Sequence, residues 1–150
     1  MIKPLAHTQP NVALAMQEVF QASYQVEAQL LQADNFPPLQ RPLEGYLESA
    51  NDFYGYYQND ALAGVIEIAT YPTYLHIQSL VVHPSYFRQG IGKALTSFAL
   101  TNYDAPLYVV ETGAANAPAI ALYESLGFVL VKEWDTEFGV RKVKLERKSL

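Results

Sequence analysis

The sequence predicts an α/β fold in which helices flank a mixed β-sheet. Segments with helical spacing of apolar residues alternate with short apolar runs typical of strands. Proline and glycine breaks separate these segments. The predicted order of elements is ααβββαβαββ. Because 150 residues suffice for one sizeable core, we expect residues 1–150 to form a single domain.

Two helices are predicted near the start of the chain. Apolar residues recur at helical spacing over residues 12–22, which indicates a helix that begins at Pro10 and ends near Leu31. The Pro37-Pro38 pair then forces an extended stretch, because proline lacks an amide donor and restricts the residue before it. A short second helix is predicted over Leu43–Ala50.

Three strands follow in the next third of the chain. Phe53–Gln58 and Leu62–Ala69 are predicted to pair through a hairpin-like turn at Asn59-Asp60. The Tyr71-Pro72-Thr73 segment turns the chain again, and Leu75–Val82 forms the third strand.

The last third of the chain alternates helices with strands. The predicted elements are a helix that follows Gly90 and ends near Asn102, a strand over Leu107–Glu111, a helix over Ala117–Leu126, and a hairpin of Phe128–Trp134 and Val140–Glu146 around Asp135–Gly139. Gly127 suits the left-handed backbone that commonly ends a helix.

Composition and charge exclude several classes of function. The chain has no cysteine, which excludes disulfides, thiolate metal sites and a cysteine nucleophile. Its net charge of −5 argues against a nucleic-acid partner, and three scattered histidines without ligand spacing predict no metal. No apolar run reaches the ~20 residues that span a bilayer, so no membrane partner is expected. The first ten residues lack an apolar signal core, which favours a cytoplasmic location.

The Gly90-Ile91-Gly92 turn follows a predicted strand and opens a helix. Glycine permits a close approach of the backbone, and the free N–H groups of a helix start attract anions. Arg88 and Lys93 add positive charge on either side. The dinucleotide fingerprint and the P-loop fit worse, because Leu95 replaces the third glycine and Ala94 follows the lysine. Taken alone, such a sequence is also typical of a tight turn without a ligand, so it is a candidate site for a diphosphate, such as that of coenzyme A.

A second motif lies in the predicted helix that starts near Asn116. Asn116 and Tyr123 are seven residues apart, so they share one helical face at a separation of ~10 Å. Taken alone, an asparagine here is typical of a helix N-cap, and most of the eleven tyrosines must simply pack.

Together these motifs resemble the coenzyme-binding half of GNAT-superfamily N-acetyltransferases. The family turn Gln/Arg-x-x-Gly-x-Gly/Ala, with a valine eight residues before its first glycine, is matched at Val82, Gly90 and Gly92. Phe87 departs from it, because the family has Gln or Arg there. The helix is similar to the family pattern Asn-x-x-Ala-x-x-x-Tyr-x-x-x-Gly-Phe, which is matched at Asn116, Ala119, Tyr123, Gly127 and Phe128.

The resemblance implies acetyl-CoA as cosubstrate. It implies that the pantetheine arm is held by Leu80, Val81, Val82 and Asn116, and the diphosphate by Arg88, Gln89, Gly90, Ile91, Gly92 and Lys93. It further implies that Tyr123 protonates the departing thiolate as general acid. A backbone N–H near Leu80 is a candidate to polarise the thioester carbonyl.

Three residues are candidates for the base that an amine acceptor needs. Glu111 precedes Asn116 by five residues, a spacing similar to that of the base in ribosomal-protein alanine acetyltransferases. His76 is expected to share a strand face with Gln78, Leu80 and Val82, because side chains alternate along a strand. Glu67, on the preceding strand, is the third candidate. A water chain, or no dedicated base, stays open.

We therefore expect an N-acetyltransferase that moves the acetyl group of acetyl-CoA to a primary amine by direct attack. The absence of cysteine and of a Gly-x-Ser-x-Gly motif disfavours an acyl-enzyme. The departure at Phe87 motivates an alternative, a non-catalytic acyl-CoA-binding regulatory module of the same fold. The acceptor, a small-molecule or peptide amine, stays open, although the acidic balance favours a cationic one. A homodimer that pairs through the terminal strands is compatible with the sequence.

Overall fold

A computed structural model describes residues 1–149. The helices in this range are α1 (Pro10–Leu30), α2 (Leu43–Leu47), α3 (Ile91–Asn102) and α4 (Ala117–Ser125). The strands are β1 (Ile2–Pro4), β2 (Asp52–Gln58), β3 (Ala61–Thr70), β4 (Leu75–Val82), β5 (Leu107–Gly113), β6 (Val129–Asp135) and β7 (Arg141–Lys148). Short 3₁₀ helices cover Pro37–Gln40 and Pro84–Tyr86.

The strands form one mixed sheet in the order β1-β2-β3-β4-β5-β7-β6. Neighbouring strands are antiparallel except β4 and β5, which are parallel. The predicted mixed sheet flanked by helices is confirmed, and the order of elements holds from α1 onward. The turn at Asn59-Asp60 also forms, and both residues have the positive φ that a two-residue hairpin turn requires.

One strand and several boundaries differ from the sequence prediction. Ile2–Pro4 pairs with Tyr54–Tyr56 as an edge strand that was not predicted, because a three-residue segment held by its backbone leaves no alternating pattern. Helix α2 ends at Leu47 rather than at Ala50, and β5 runs to Gly113, two residues beyond Glu111.

The sheet separates two apolar layers. On one face α1 and α2 pack through Met16, Phe20 and Tyr46 onto strand residues such as Val65 and Val81. On the other face α3 and α4 cover the sheet, and this layer contains the buried residues Ile66, Ile77, Leu95, Ala99 and Tyr123. None of the helices within residues 1–149 combines the length and apolar character needed to cross a membrane.

Candidate active site

The parallel strands β4 and β5 pair along only part of their length. Leu75–Ile77 lies opposite Tyr108–Val110, and no pairing continues beyond these three positions. Both strands run on, β4 to Val82 and β5 to Gly113, so they diverge and leave an opening in the middle of the sheet. Backbone groups at such an opening are free to bind a ligand.

A bulge in β4 changes which side chains face each layer. Ile77 lies opposite Ile68 and Ser79 lies opposite Glu67, so Gln78 has no partner across the β3–β4 ladder. Because of this extra residue, side chains beyond it lie on the face opposite to the one that counting every second residue along the sequence gives. Leu80 therefore lies on the same face of the sheet as Ile77, the α3 face.

The bulge overturns the prediction that His76 shares a face with Leu80 and Val82. His76 lies opposite Ala69, one position from Ile68 in the ladder, and so on the face of Glu67 and Ser79. Counting every second residue fails here because the bulge adds one residue between His76 and Leu80. Burial lowers the pKa of His76, and the negative charge of Glu111 opposes this only in part.

The turn before α3 has the backbone geometry of an anion site. Gly90 is the N-cap with a φ of 76°, and Arg88 is also left-handed with a φ of 64°, which is uncommon for a residue with a side chain. The N–H of Ala94 donates to the Gly90 carbonyl oxygen at 2.9 Å. The N–H groups of residues 91–93 precede this first helical bond, so they have no acceptor within the helix.

The two glycines of the turn have different roles. A Cβ on Gly90 would meet no atom within 4 Å, so the space beside this residue is open. A Cβ on Gly92 would lie 3.0 Å from Cδ1 of Leu122, which ties this position to the packing of α3 against α4. Gly90 thus provides the left-handed backbone, and Gly92 permits close contact between the helices.

A cleft of about 530 Å³ runs from this turn to the opening between β4 and β5. We call it the α3-side cleft. Of the residues predicted to bind coenzyme, it is lined by Leu80, Val82, Arg88, Gly90, Ile91, Gly92, Lys93, Asn116 and Tyr123. Gln89 does not line it, and the side chain of Val81 is buried in the α1 layer instead. Phe87, the departure from the family motif, also lines the cleft and is 42% exposed.

Tyr123 lines the α3-side cleft from α4. Its ring packs edge-on against Phe128 at 5.6 Å between centroids, and the residue is only 4% exposed. Burial, reinforced by the charge of Glu27 and by Tyr24, raises the pKa of Tyr123. The phenol is therefore protonated at neutral pH and can donate a proton.

Asn116 caps α4 and holds a carboxylate of α1. Its Oδ1 accepts the N–H of Ala119 at 3.3 Å, which orients the amide. Its Nδ2 then donates to Glu27 Oε1 at 3.2 Å and to Thr112 Oγ1 at 3.4 Å. The amide thus joins α1, β5 and α4 at the end of the cleft.

A second cavity of about 780 Å³ opens on the other face of the sheet, beside α2. We call it the α2-side cavity. It shares six lining residues with the α3-side cleft, namely Tyr24, Glu27, Gln78, Ser79, Glu111 and Thr112. The two spaces therefore meet through the opening between β4 and β5.

Of the predicted base candidates, Glu111 is the one at this junction. It lines both spaces, and Lys142 on β7 donates to its Oε1 at 3.5 Å. His76 lines neither the α3-side cleft nor the α2-side cavity. The structure thus brings Glu111 and Tyr123 together along the cleft and leaves His76 outside it.

Glu67 lines the α2-side cavity, and both of its carboxylate oxygens already accept hydrogen bonds. Arg41 donates to its Oε1 at 2.8 Å and its Oε2 at 3.2 Å, Asn51 donates at 2.9 Å, and Ser79 donates at 2.9 Å. Burial alone would raise the pKa of Glu67, but these bonds outweigh it and hold the pKa below its usual range. A carboxylate held in this way is a poor proton acceptor.

Two α1 residues at the junction were missed by the sequence interpretation, Tyr24 and Glu27. The sequence did carry a signal for them. The apolar stripe of α1, which includes Met16 and Phe20, continues at helical spacing to positions 24 and 27. A glutamate on the buried stripe of a helix is unusual and indicates a specific partner or function.

The sequence pattern of the acetyltransferase (GNAT) family matches residues 14–128. The chain therefore belongs to the GNAT acetyltransferase family. Among curated proteins it is 38% identical to the UPF0157 protein YqkA of Bacillus subtilis over 129 residues, which cover 85% of this chain and 38% of that protein. It is 46% identical to the ribosomal protein bS18-alanine N-acetyltransferase of Escherichia coli over 54 residues, which cover 33% of this chain and 36% of that enzyme. The matched stretches thus span little more than a third of the length of these relatives.

Solved structures show the same fold. The ribosomal-protein-S18-alanine N-acetyltransferase of Escherichia coli superimposes with a TM-score of 0.77 at 22% identity, covering 99% of this chain and 93% of that one. The PaiA N-acetyltransferase of Thermoplasma acidophilum, solved with coenzyme A, gives a TM-score of 0.76 at 18% identity and covers 99% of both chains. Within residues 1–149, no group of three or more His, Cys, Asp or Glu side chains is placed to hold a metal ion.

Proposed function

We propose that this chain is an acetyl-CoA-dependent N-acetyltransferase that acts on a primary amine. The observation that carries the proposal is the α3-side cleft, which joins the free N–H groups at the start of α3 to the phenol of Tyr123. A diphosphate at one end and a thioester at the other match the two chemistries found there.

The turn before α3 supports binding of the diphosphate. The N–H groups of Ile91, Gly92 and Lys93 have no helical acceptor, and the positive end of the helix dipole favours an anion. Arg88 and Lys93 line the cleft and add cationic charge. We propose that the pantetheine arm lies along the unpaired part of β4, near Leu80 and Val82.

Tyr123 is the proposed general acid. Direct attack of the amine on the thioester carbonyl forms a C–N bond and breaks the C–S bond, and the departing thiolate takes the phenolic proton. Burial keeps the phenol protonated until that step. Positioning of amine and thioester at the opening between the strands supplies most of the remaining rate enhancement.

The α2-side cavity is the proposed acceptor site. Its lining contains five carboxylates, Glu27, Glu44, Glu48, Glu67 and Glu111, against two cations, Arg41 and Lys142. This excess of negative charge favours a cationic amine. The name of the E. coli relative specifies an alanine of ribosomal protein bS18, but that match covers only a third of this chain, so the acceptor is argued from the cavity.

The test is a thiol-release assay with purified protein, acetyl-CoA and a panel of primary amines. Tyr123→Phe is expected to lower kcat by about 10²-fold or more while acetyl-CoA affinity stays within about threefold, since a general acid acts only in the transition state. Calorimetry measures the affinity separately. No binding of acetyl-CoA to the folded protein would end the proposal, and tight binding without transfer to any amine would favour the regulatory module.

A further inference from the structure

Glu27 occupies the junction between the α3-side cleft and the α2-side cavity. Of the six residues that line both spaces, only Glu27 and Glu111 carry carboxylates. A group that takes a proton from an amine in one space while a thioester lies in the other must lie at this junction. The two carboxylates are therefore the geometric candidates.

The contacts of these two carboxylates differ. Glu111 forms an ion pair with Lys142 at 3.5 Å, so its charge is already compensated. Within residues 1–149, Glu27 is in no ion pair of this kind and is held by an amide, through Asn116 Nδ2 at 3.2 Å. An amide orients a carboxylate without cancelling its charge.

The surroundings of Glu27 suit proton transfer near neutral pH. Burial raises the pKa of Glu27, and Asn116, Lys142 and Thr112 oppose this only in part. The charged and titratable groups that face it are Lys142 from β7, Glu111 from β5, Tyr123 from α4 and Tyr24 from α1. A carboxyl with a pKa closer to the working pH is the better base.

The charge of Glu27 also acts on the proposed acid. It is the largest contribution after burial to the raised pKa of Tyr123, so the two groups lie close enough for their charges to interact. Ionised Glu27 keeps the phenol protonated before the reaction. Protonation of Glu27 during the reaction then removes a charge that would oppose formation of a phenolate.

We propose that Glu27 accepts the proton of the attacking amine. This assignment rests on the proposed function. The neutral amine nitrogen attacks the thioester carbonyl carbon, the C–N bond forms, and the C–S bond breaks. One amine proton goes to the Glu27 carboxylate, and the phenolic proton of Tyr123 goes to the thiolate. The proton on Glu27 then passes to the Tyr123 phenolate, directly or through water, and both groups return to their starting states.

The test compares Glu27→Gln with Glu111→Gln in the full chain. Glutamine keeps an oxygen that can accept the amide hydrogen bond of Asn116, so Glu27→Gln preserves the fold and removes only the titratable group. Glu27→Gln is expected to lower kcat by about 10²-fold or more and to remove the acid limb of the kcat–pH profile. Glu111→Gln is expected to retain that limb.

A third variant, Thr112→Val, tests the direction in which the acid limb of the kcat–pH profile moves. The Thr112 hydroxyl lowers the pKa of Glu27, so Thr112→Val is expected to raise that pKa and to move the acid limb to higher pH. A role of Glu27 in structure alone would not move the limb.

The outcomes separate this assignment from the proposed function. If the unaltered protein acetylates an amine and Glu27→Gln keeps both its rate and its acid limb, or if Glu111→Gln removes the limb instead, the assignment is overturned and the function stands. If the unaltered protein binds acetyl-CoA but acetylates no amine, the proposed function fails and the assignment fails with it. Calorimetric affinity and melting temperature, measured for every variant, establish that each one is folded and binds coenzyme.

Discussion

The α3-side cleft and the α2-side cavity are built in different ways. The candidate anion site of the cleft consists of backbone N–H groups of one continuous segment, residues 91–93, which directly follow Gly90. The α2-side cavity is lined by side chains from α1, the 3₁₀ segment at Pro37–Gln40, α2 and strands β3, β4, β5 and β7. A site of the first kind depends on local conformation, whereas a site of the second kind depends on tertiary packing.

Because of this difference, we expect changes in the turn to affect ligand binding and changes in the cavity to affect the stability of the fold. Residues of the cleft turn are exposed, so a change there affects a ligand more than the fold. The floor of the α2-side cavity contains Glu67, which is 1% exposed, and its partner Arg41. Changes at this pair are expected to act on the fold first.

The largest expected effect is on stability, from Arg41→Met. Removal of the guanidinium leaves Glu67 buried without its cation, and breaking such a pair costs about 3–5 kcal/mol in the free energy of unfolding. Urea unfolding at pH 7 measures this loss. The control is Lys142→Met, which breaks the half-exposed pair with Glu111 and is expected to cost at most ~1 kcal/mol. Equal losses in the two variants would contradict the contrast between these pairs.

The same pair gives a pH dependence of defined sign. In the unaltered protein the pKa of Glu67 is lowered, so its contribution to stability is present above its unfolded pKa of about 4.3 and is lost as the pH falls through the folded pKa. In Arg41→Met, burial, the largest influence on this pKa, is opposed only by the hydrogen bonds of Asn51 and Ser79, so we expect the folded pKa to rise. The destabilisation of Arg41→Met relative to the unaltered protein is therefore expected to shrink between pH 7 and pH ~4.5, as Glu67 becomes protonated.

An intermediate effect is expected from Gly90→Ala, with Gly139→Ala as a matched control. Both glycines have positive φ, 76° and 80°, and neither has an atom within 4 Å of an added Cβ. Each substitution is expected to cost about 1–2 kcal/mol of stability, because alanine is strained in this region. Only Gly90→Ala changes the turn before α3, so it alone is expected to weaken coenzyme A binding, by about tenfold or more in calorimetry. Similar affinities in the two variants would exclude the turn as the diphosphate site.

The smallest effect is expected from His76→Gln. His76 lines neither the cleft nor the cavity, so we expect kcat to change by less than about threefold in the thiol-release assay. A loss comparable to that of Glu27→Gln would return His76 to the list of candidate bases.

Local patterns in the sequence predicted most of the fold. Apolar periodicity located α1, α3, α4 and the central strands, since burial of one face produces that periodicity directly. Strand β1 was missed, because Ile2–Pro4 is held by backbone pairing with β2. The bulge at Gln78 was also missed, because an unpaired residue in a ladder leaves no trace in composition.

For the candidate site too, local motifs could be predicted from the sequence, whereas contacts between distant residues could not. The Gly90 turn and the Asn116–Tyr123 helix could be proposed from the sequence because each lies within a few residues of sequence and matches a family pattern. Glu27 was missed as a site residue, because its contact with Asn116 joins positions 89 residues apart. The layer in which the side chain of Val81 lies could not be predicted either, because the bulge determines it.

The unpaired Gln78 also determines which genetic changes strand β4 tolerates. Many single replacements along this strand leave the pairing of β3 and β4 intact. Loss of the Gln78 codon would close the bulge and leave Ile77 and Ser79 adjacent, so Leu80 and Val82 would keep facing α3. Gain of one codon between Ser79 and Val82 would instead turn Val82 toward α1. Insertions beyond the bulge, more than the loss of Gln78, are therefore the class of change that natural variation and mutant libraries should lack here.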